Sequence, residues 1–555
     1  MSDDGQVRTA DHEPRWRVIA GRVLTALAFL LLLYAMVTPN QLSKLSPWAF
    51  LRIPVEALIG VALVLVLPPR PRKAVAIVGG VLLGLVAIFK AFDFGFYSAF
   101  DRGFDPMYDW DFLGPAVSIV REGFGQTGAV IAVIVAVLVA VGLLVLMVFA
   151  ALRVTRLTVA HRTGAIRTLA VLSVIWVFCA AFGFPVASRS AAGYTYLQTR
   201  QVTHNIADAR SFKDEVAVDA FRSSSDLLNG LRGKDVLFTF IESYGKVAIS
   251  DPAIAPGVNS VLANGTTALR NAGFGVRSAF LTSPTFGGGS WLAHSTFQSG
   301  VWISNQHRYD SLVAGDRFTF SHAFKKSGWR TVGDLPENMY DWPEGKFYDY
   351  DKLYDSRNVG YKGPKYFYAQ MPDQYTMSAF QRLERTPGHA PLMAEIDLVT
   401  SHTPWAPLPT MVDWDKVGDG SIFGPQPAAA KQPNDVWPDQ GKIKAAYGQS
   451  IQYSLTTLIE YLQRHGDDNL VLVFLGDHQP QPIVSGEGAS HDVPITLVAK
   501  DPAVLDRIAG WGWEDNLRPS DHAPVWPMSA FRDRFFTAFG PTTPPPSTQG
   551  IRPPG

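Results

Sequence analysis

The chain has 555 residues, 49 basic and 49 acidic side chains, and a single cysteine, Cys179. The balanced charge provides no global field that would favour nucleic acid as a partner. One cysteine excludes an intrachain disulfide and a four-cysteine zinc site. Because Cys179 lies within an apolar run, a cysteine nucleophile outside the membrane is also excluded. The length is sufficient for two or three domains.

The first part of the chain, residues 1–188, contains apolar segments of the length that crosses a bilayer core, about 20 residues. Five such segments are predicted to be transmembrane helices, at about 18–37, 50–68, 74–92, 128–151 and 167–187. The second is the weakest, because Pro54 and Glu56 lie near its start. More spans follow the first one and no small-residue cleavage site ends it, so we do not expect a cleaved signal peptide.

Basic residues predict the orientation of these helices, since cytoplasmic loops are enriched in lysine and arginine. The N-terminus, the 68–73 turn and the 152–167 loop are all basic, and five spans place them on one side. The intervening loop, 93–126, is acidic and aromatic, as an outer loop can be. We therefore predict a multi-pass protein of the cell membrane with a cytoplasmic N-terminus and an extracytoplasmic C-terminal part. An even number of spans would reverse this orientation.

The C-terminal part changes in pattern. Residues 189–232 have helical spacing of apolar side chains and predict a connector. Beyond them, helical stretches such as 444–465 alternate with short apolar runs rich in β-forming residues. These runs lie at 235–241, 393–399, 470–475 and 494–498. Continuous apolar strands separated by helices predict an α/β domain with a mostly parallel, buried sheet, over residues 233–540. The Pro-rich tail, 541–555, is predicted to be disordered.

Several of these strands run into side chains that bind metals or transfer protons. Glu242 follows the first strand, and His402 follows the strand near 395. Asp477 and His478 follow the strand at 470. Ligands of open α/β sheets bind beyond the carboxyl ends of the strands, so these residues are expected to converge. Each of them alone could equally be a cap or a turn residue, and the prediction depends on their equivalent positions.

The segment 283–300, SPTFGGGSWLAHSTFQSG, offers a nucleophile. Its three glycines allow a sharp bend and close approach of the backbone to a ligand. Ser290 follows them, at a point where a helix can begin. The free N–H groups and the positive end of that helix would stabilise an anion beside the serine. The alternative is that Ser290 only caps the helix.

In their order along the chain, the FIES, GGGS, SHTPW and GDH segments resemble motifs of the alkaline-phosphatase superfamily. The most similar groups are the lipoteichoic acid synthases, the phosphoglycerol and phosphoethanolamine transferases, and the sulfatase-like proteins grouped with them. The similarity covers residues 232–540, and five spans before the domain match the layout of lipoteichoic acid synthases. The resemblance implies a transmembrane helical bundle followed by a three-layer α/β extracytoplasmic domain of alkaline-phosphatase/sulfatase type.

The resemblance also implies metal ligands. Glu242, Asp477 and His478 match the metal ligands of these enzymes. Ser290 falls where they have a threonine that is both ligand and nucleophile, and Thr285 is the alternative nucleophile. Such a set suits one divalent ion, and mixed oxygen and nitrogen ligands fit Zn²⁺ or Mn²⁺ without separating them.

Three further residues are implied to contact substrate. His402 matches a histidine that contacts the transferred group or protonates the leaving group. His491 falls near a histidine at the substrate end of phosphoethanolamine transferases. Trp342 matches a tryptophan with which lipoteichoic acid synthases hold phosphoglycerol.

Two departures bear on the substrate. Lipoteichoic acid synthases also hold phosphoglycerol with a histidine and an arginine, where this chain has Pro336 or Glu337 and Glu344. This difference disfavours a glycerol-phosphate headgroup. The signature for maturation to formylglycine is absent, because Phe286 stands where arginine is needed. A conventional sulfatase mechanism is therefore disfavoured.

Together these features predict a membrane-anchored, metal-dependent transferase with a covalent Ser290 intermediate. Its donor would be a membrane phospholipid, since no nucleotide is expected outside the cytoplasm, and its acceptor an envelope lipid, glycan or polymer. The transferred group would be of phosphoglycerol or phosphoethanolamine type. One alternative is a hydrolase of phosphoric or sulfuric esters at the same site, and another is a non-catalytic envelope protein. A transporter is disfavoured, because Glu56 and Lys90 lie near the ends of spans.

Overall fold

The computed structural model describes residues 15–541, which fall into two compact units. Unit 1 comprises Met1–Tyr97 and Arg102–Ile206, and unit 2 comprises Ser98–Asp101 and Ala207–Gly555. Apart from Pro541, the Pro-rich tail for which disorder was predicted lies outside the described residues.

The part of the chain that contains unit 1 is almost entirely helical, with one short pair of parallel strands. Its elements are α1 (Arg15–Val37), β1 (Ile53–Pro54), α2 (Val55–Val66), α3 (Pro69–Phe100), α4 (Leu113–Ala160), α5 (Arg162–Ala181), β2 (Ala187–Ser188) and α6 (Ser190–Ala217). Helix α4 is broken at Gly125, whose φ of 74° and ψ of 175° are non-helical. Such a backbone is accessible to glycine because it has no Cβ. Helix α6 lies within the predicted connector.

Among residues 15–541, four helices are long and apolar enough to cross a membrane: α1, α3, α5 and the Phe124–Ala160 part of α4. They overlap four of the five predicted spans. The predicted second span contains α2, which has only 12 residues. At about 1.5 Å per residue such a helix is shorter than the bilayer core of about 30 Å. The count of five spans, and the orientation that depends on it, therefore stay predictions.

Lys90 has a structural role within unit 1. Its ammonium group is buried and donates hydrogen bonds to the carbonyl oxygens of Ala35, Met36 and Thr38, at 3.1, 3.3 and 2.8 Å. These carbonyls lie at the C-terminal end of α1, where the helix has no backbone donors for them. Lys90 thus caps α1, which accounts for a buried basic residue in an apolar helix.

Unit 2 contains one sheet and the helices that cover it. Its elements are β3 (Asp235–Ile241), α7 (Val247–Ser250), α8 (Ala255–Asn271), β4 (Gly275–Thr282), α9 (Ser290–Ser299), α10 (Gln306–Val313), α11 (Phe320–Lys326), β5 (Arg330–Leu335), β6 (Lys352–Asp355), α12 (Asp373–Glu384), β7 (Leu392–Leu398), α13 (Gln426–Ala429), α14 (Pro433–Val436), α15 (Gln440–His465), β8 (Leu470–Gly476), α16 (Pro482–Ser485), β9 (Asp492–Ala499), α17 (Pro502–Asp506), β10 (Val525–Pro527) and α18 (Ser529–Phe539).

The eight strands of this sheet have the order β10-β4-β9-β8-β3-β7-β5-β6. Strand β9 is antiparallel to its neighbours β4 and β8, and all the other pairs are parallel. The four apolar runs predicted as strands correspond to β3, β7, β8 and β9. The mostly parallel sheet is confirmed, and β9 is the antiparallel exception.

Hydrophobic cores lie on both faces of the sheet, which makes unit 2 three-layered. Alternate side chains of β3 point to opposite faces. Leu237 and Ile241 pack in the core that contains residues of α8 and α15. Phe238 and Phe240 pack in the other core, with residues of α9, α11 and α18. Because β3 is covered on both faces, its sequence DVLFTFI is mostly apolar and does not alternate with polar residues on one face.

Candidate metal and nucleophile site

The register of the central strands brings the predicted site residues together. Ile241 at the end of β3 pairs with Leu398 of β7 on one side and with Gly476 of β8 on the other. The residues that follow these strands, Glu242 and Asp477, therefore lie next to each other at the edge of the sheet. The parallel direction of the three strands places their carboxyl ends at one edge, where ligands of such sheets bind.

Four side chains form a compact cluster at this edge. Nε2 of His478 lies 3.4 Å from Oε1 of Glu242 and 3.4 Å from Oδ2 of Asp477. The Ser290 hydroxyl donates to Oε2 of Glu242 at 3.0 Å and lies 3.2 Å from Nε2 of His478. Ligands bound at about 2.1 Å in a tetrahedral site are separated by about 3.4 Å. The cluster therefore has the spacing of a metal-ligand set.

The backbone fixes the orientation of these groups. Nδ1 of His478 donates to the carbonyl oxygen of Gln479 at 2.8 Å, so that Nε2 faces the carboxyl groups of Glu242 and Asp477. Oδ1 of Asp477 accepts from the backbone N–H groups of Ser243 and His478, at 2.7 Å each. The other oxygen of Asp477, Oδ2, is buried and has no hydrogen-bond donor among the described residues. A buried carboxylate oxygen without a donor fits a divalent cation, which supplies the missing positive charge.

The loop that contains Gly287, Gly288 and Gly289 places Ser290 in this cluster. Gly289 has a φ of 78° and precedes Ser290, which is the first residue of α9. The interpretation of Ser290 as a mere cap is wrong, because Gly289 occupies the cap position and the Ser290 hydroxyl faces Glu242. Thr285 donates its hydroxyl to the carbonyl oxygen of Gly288 instead. The geometry thus favours Ser290 over Thr285 as the nucleophile.

Two of the predicted substrate histidines are held by backbone carbonyls. Nδ1 of His402 lies 2.6 Å from the carbonyl oxygen of Thr403, and its ring stacks on Tyr368 with centroids 3.7 Å apart. Nδ1 of His491 lies 3.3 Å from the carbonyl oxygen of Ser283, and burial lowers its pKa below the usual value.

Trp342 is held by a different set of side chains. Its indole N–H donates to the hydroxyl of Tyr309 at 3.3 Å, and its ring stacks on Tyr348 at 5.4 Å. It packs against the hydrophobic cluster that contains Leu292 of α9. Its predicted contact with substrate stays a prediction.

The two carboxyl groups of the cluster have opposite protonation tendencies. Burial raises the pKa of Asp477 well above its usual value, and the neighbouring charge of Glu242 adds to this. Burial acts in the same direction on Glu242, but its interactions with His478 and His402 outweigh burial and lower its pKa to about 2.

A second group of buried side chains was not predicted. Nδ1 of His294 lies 3.4 Å from Oε1 of Glu395 and 3.5 Å from Oδ2 of Asp397. The sequence contained a signal for it, because two acidic residues two positions apart in an apolar strand share one face. His294 follows Ser290 by four residues on α9 and so lies on the same helical face.

A buried carboxyl group outside both clusters permits a test by pH. Both oxygens of Asp334 are buried without a donor among the described residues. Burial and the charges of Glu337 and Glu384 raise the pKa of Asp334 to about 8. The folded state therefore binds this proton more tightly than the unfolded state, and stability is lost as the pH rises from about 4 to 8.

We expect Asp334→Asn to raise the free energy of unfolding by about 2 kcal/mol or more at pH 8 and to have little effect near pH 4. Thermal unfolding of the full-length chain in detergent, followed by tryptophan fluorescence at several pH values, measures this. Asp419→Asn, at an exposed position, is the control. An equal shift at every pH would contradict the assignment of a buried, protonated Asp334.

Comparison with known proteins finds solved structures that are similar to this chain. No protein-family model and no curated protein matches the sequence. Among solved structures, the lipoteichoic acid synthase LtaP from Listeria monocytogenes has 16% identity, with 52% of this chain and 71% of that chain covered and a TM-score of 0.36. The phosphoglycerol transferase GacH from Streptococcus pyogenes has 13% identity, coverage of 60% and 91%, and a TM-score of 0.34. The periplasmic domain of EptC from Escherichia coli, in complex with Zn, has 12% identity, coverage of 51% and 75%, and a TM-score of 0.33. LtaP and GacH belong to groups that the sequence motifs resemble.

Proposed function

We propose that this chain is a membrane-anchored, metal-dependent enzyme that transfers a phospho-headgroup from a phospholipid to an envelope acceptor through Ser290. The observation that carries the proposal is the position of the Ser290 hydroxyl, 3.0 Å from Glu242 and 3.2 Å from His478. A serine that begins a helix and faces a metal-ligand set has the environment of an activated nucleophile.

The proposed ligands of the cation are Glu242, Asp477, His478 and Ser290. Two carboxylates, an imidazole and a hydroxyl form a mixed oxygen and nitrogen set that suits Zn²⁺ or Mn²⁺. A divalent ion held there would lower the pKa of the serine hydroxyl, whose proton would leave to solvent, and would polarise a phosphoryl oxygen. Glu242 and His478 hold the serine oxygen in place.

The first chemical step is attack of Oγ of Ser290 on phosphorus. The bond between phosphorus and the diacylglycerol oxygen breaks, and Nε2 of His402 supplies the proton that this oxygen needs. Ser290 then carries the phospho-headgroup as an ester. In the second step His402 takes the proton of an acceptor hydroxyl, the acceptor oxygen bonds to phosphorus, and Ser290 is released.

The donor class follows from the membrane helices. Four helices can cross a bilayer, so the chain resides where phospholipid headgroups are presented. We place unit 2 outside the cytoplasm, where lipids are the available phosphate esters and nucleotides are not. The acceptor is then an envelope lipid, glycan or polymer, and water in its place would make the same site a hydrolase.

The test is the intact mass of the full-length chain in detergent after incubation with Mn²⁺ or Zn²⁺ and phospholipid vesicles. Separate vesicles contain phosphatidylglycerol or phosphatidylethanolamine. We expect a mass increase with one of them, equal to its phospho-headgroup, and none in Ser290→Ala. Thr285→Val, which removes the other hydroxyl of the loop, should keep the adduct.

The outcomes separate the candidate functions. An adduct that disappears in Ser290→Ala supports a transferase or hydrolase with a serine ester, and its decay with or without an added acceptor separates the two. An adduct that persists in Ser290→Ala and disappears in Thr285→Val would move the nucleophile to Thr285. Metal binding without turnover of either lipid would contradict the phospholipid donor.

A further inference from the structure

The cluster of His294, Glu395 and Asp397 lies beside the site of Ser290 in unit 2, further from the carboxyl ends of the strands. His294 is on α9, one turn after Ser290, and the two acidic residues are inside strand β7. The side chains are 15%, 5% and 7% exposed, respectively. The proposed transfer chemistry does not use any of them.

The spacing of these side chains is too long for hydrogen bonds and fits shared coordination. Nδ1 of His294 is 3.4 Å from Glu395 and 3.5 Å from Asp397, whereas N–H···O hydrogen bonds are about 2.9 Å. The same separation of 3.4 Å occurs between Nε2 of His478 and its two carboxylates in the first cluster. Ligand atoms around one ion with bonds of about 2.1 Å have this spacing.

The carboxylate of Glu395 is oriented by other side chains in the way that metal ligands are. Oε2 of Glu395 accepts hydrogen bonds from Tyr350, at 2.7 Å, and from Gln298. Oε1 of Glu395 is thereby turned toward His294. Hydrogen bonds to the non-coordinating atom of a ligand are typical of metal sites. The ring of His294 is held by stacking on Phe240, with centroids 3.9 Å apart.

An unpartnered buried atom shows that the cluster lacks a positive partner. Asp397 is 5% exposed, and its Oδ1 has no hydrogen-bond donor among the described residues. Glu337 is another carboxyl group beside Asp397. Within residues 15–541 no lysine or arginine forms an ion pair with Glu337, Glu395 or Asp397. Buried carboxylates are otherwise paired, bound to a metal or neutralised by a proton.

We propose that His294, Glu395 and Asp397 bind a second divalent transition-metal ion, in addition to the ion of the Ser290 site. One imidazole and two carboxylates suit Zn²⁺ or Mn²⁺. The inference stands on the geometry of this cluster and does not depend on the proposed headgroup transfer. The ion neutralises the negative charges of carboxylates that lie close to the Ser290 site, and so stabilises the packing of α9 against β7.

The test is the metal stoichiometry of the full-length chain in detergent. The protein is stripped with a chelator, dialysed against Zn²⁺ or Mn²⁺, and measured by inductively coupled plasma mass spectrometry. We expect two equivalents in the wild type and one in His294→Ala and in Asp397→Asn. Asp334→Asn removes a buried carboxyl group outside both clusters and should keep two.

The variant Asp477→Asn distinguishes metal binding at the two sites. It should lose the ion of the Ser290 site, and the double variant with Asp397→Asn should bind none. The wild type could instead bind one equivalent, which is lost in Asp477→Asn and kept in Asp397→Asn. This result would overturn the second site and leave the proposed function intact. No bound metal in the wild type would overturn both.

Titration of the stripped wild type with Co²⁺ gives a second measurement that needs no variant. Saturation at two equivalents, with d–d absorption of low-symmetry Co²⁺, is expected. Saturation at one equivalent would overturn the second site even if the variants did not fold.

Discussion

Replacing Asp477 with asparagine is expected to reduce turnover about 10³-fold or more, because a metal ion contributes several kcal/mol to the stabilisation of charge in such reactions. The substitution keeps the shape of the side chain. Its oxygen can still accept from the N–H groups of Ser243 and His478. The amide nitrogen, however, replaces Oδ2, the buried oxygen that has no donor among the described residues. An amide N–H₂ is not a cation ligand, so the metal site is lost while the backbone contacts remain.

The measurement is release of diacylglycerol from vesicles, with hydrolysis of an aryl phosphodiester as a probe that does not depend on the headgroup. Chelation should lower the activity of the wild type by a similar factor, and added Mn²⁺ or Zn²⁺ should restore it. In Asp477→Asn the added metal should not restore activity. Asp334→Asn, which is equally buried, is the matched control. Turnover of Asp477→Asn at the wild-type rate would contradict the assignment of this ligand.

Gly476→Ala is expected to lower the free energy of unfolding by about 3 kcal/mol or more, as severe overpacking of a core does. A Cβ at this position would overlap the backbone carbonyl oxygen of Tyr244, which cannot rotate away as a side chain can. Gly476 pairs with Ile241 and directly precedes Asp477. Relief of the overlap must therefore move the end of β8 and the ligand that follows it, and the affinity for the cation should fall although no polar atom is removed.

Denaturant unfolding followed by tryptophan fluorescence, together with metal titration, measures both effects. Gly510→Ala is the matched control, because a Cβ there meets no atom within 4 Å. We expect Gly510→Ala to leave stability and metal affinity unchanged. Equal stability of the two variants would show that the end of β8 can move at little cost in free energy. This would contradict the expectation drawn from its close contact with the backbone of Tyr244.

The elements of unit 2 that carry the first cluster could be predicted from the sequence. Strand β3 was predicted at 235–241 and is found there, because a strand covered on both faces is apolar at most of its positions. The same reasoning located β7 and β8 within about one residue. Since parallel strands present their carboxyl ends at one edge, the approach of Glu242 to Asp477 was also predictable.

The sequence was less informative where an outcome depends on distances between elements. It left open whether Ser290 caps α9, and whether Ser290 or Thr285 is the nucleophile. The positive φ of Gly289 and the bond from Thr285 to Gly288 favour Ser290, and neither can be derived from composition. The antiparallel direction of β9 was missed because a buried strand has the same pattern in both directions. The short α2 was included in a longer apolar run, since hydropathy does not show where a helix begins.

The sequence by itself determined the class of the molecule: apolar helices followed by an α/β domain, with acidic and histidine side chains at the ends of its central strands. The periodicity of buried side chains in a helix or strand involves residues that are close in sequence, so a local sequence pattern reveals it. Only the tertiary structure decided which side chains meet. The contact of His294 with Glu395 and Asp397 depends on the packing of α9 against β7, across about 100 residues of chain. Such contacts are set by sheet register and helix packing, which no local pattern encodes.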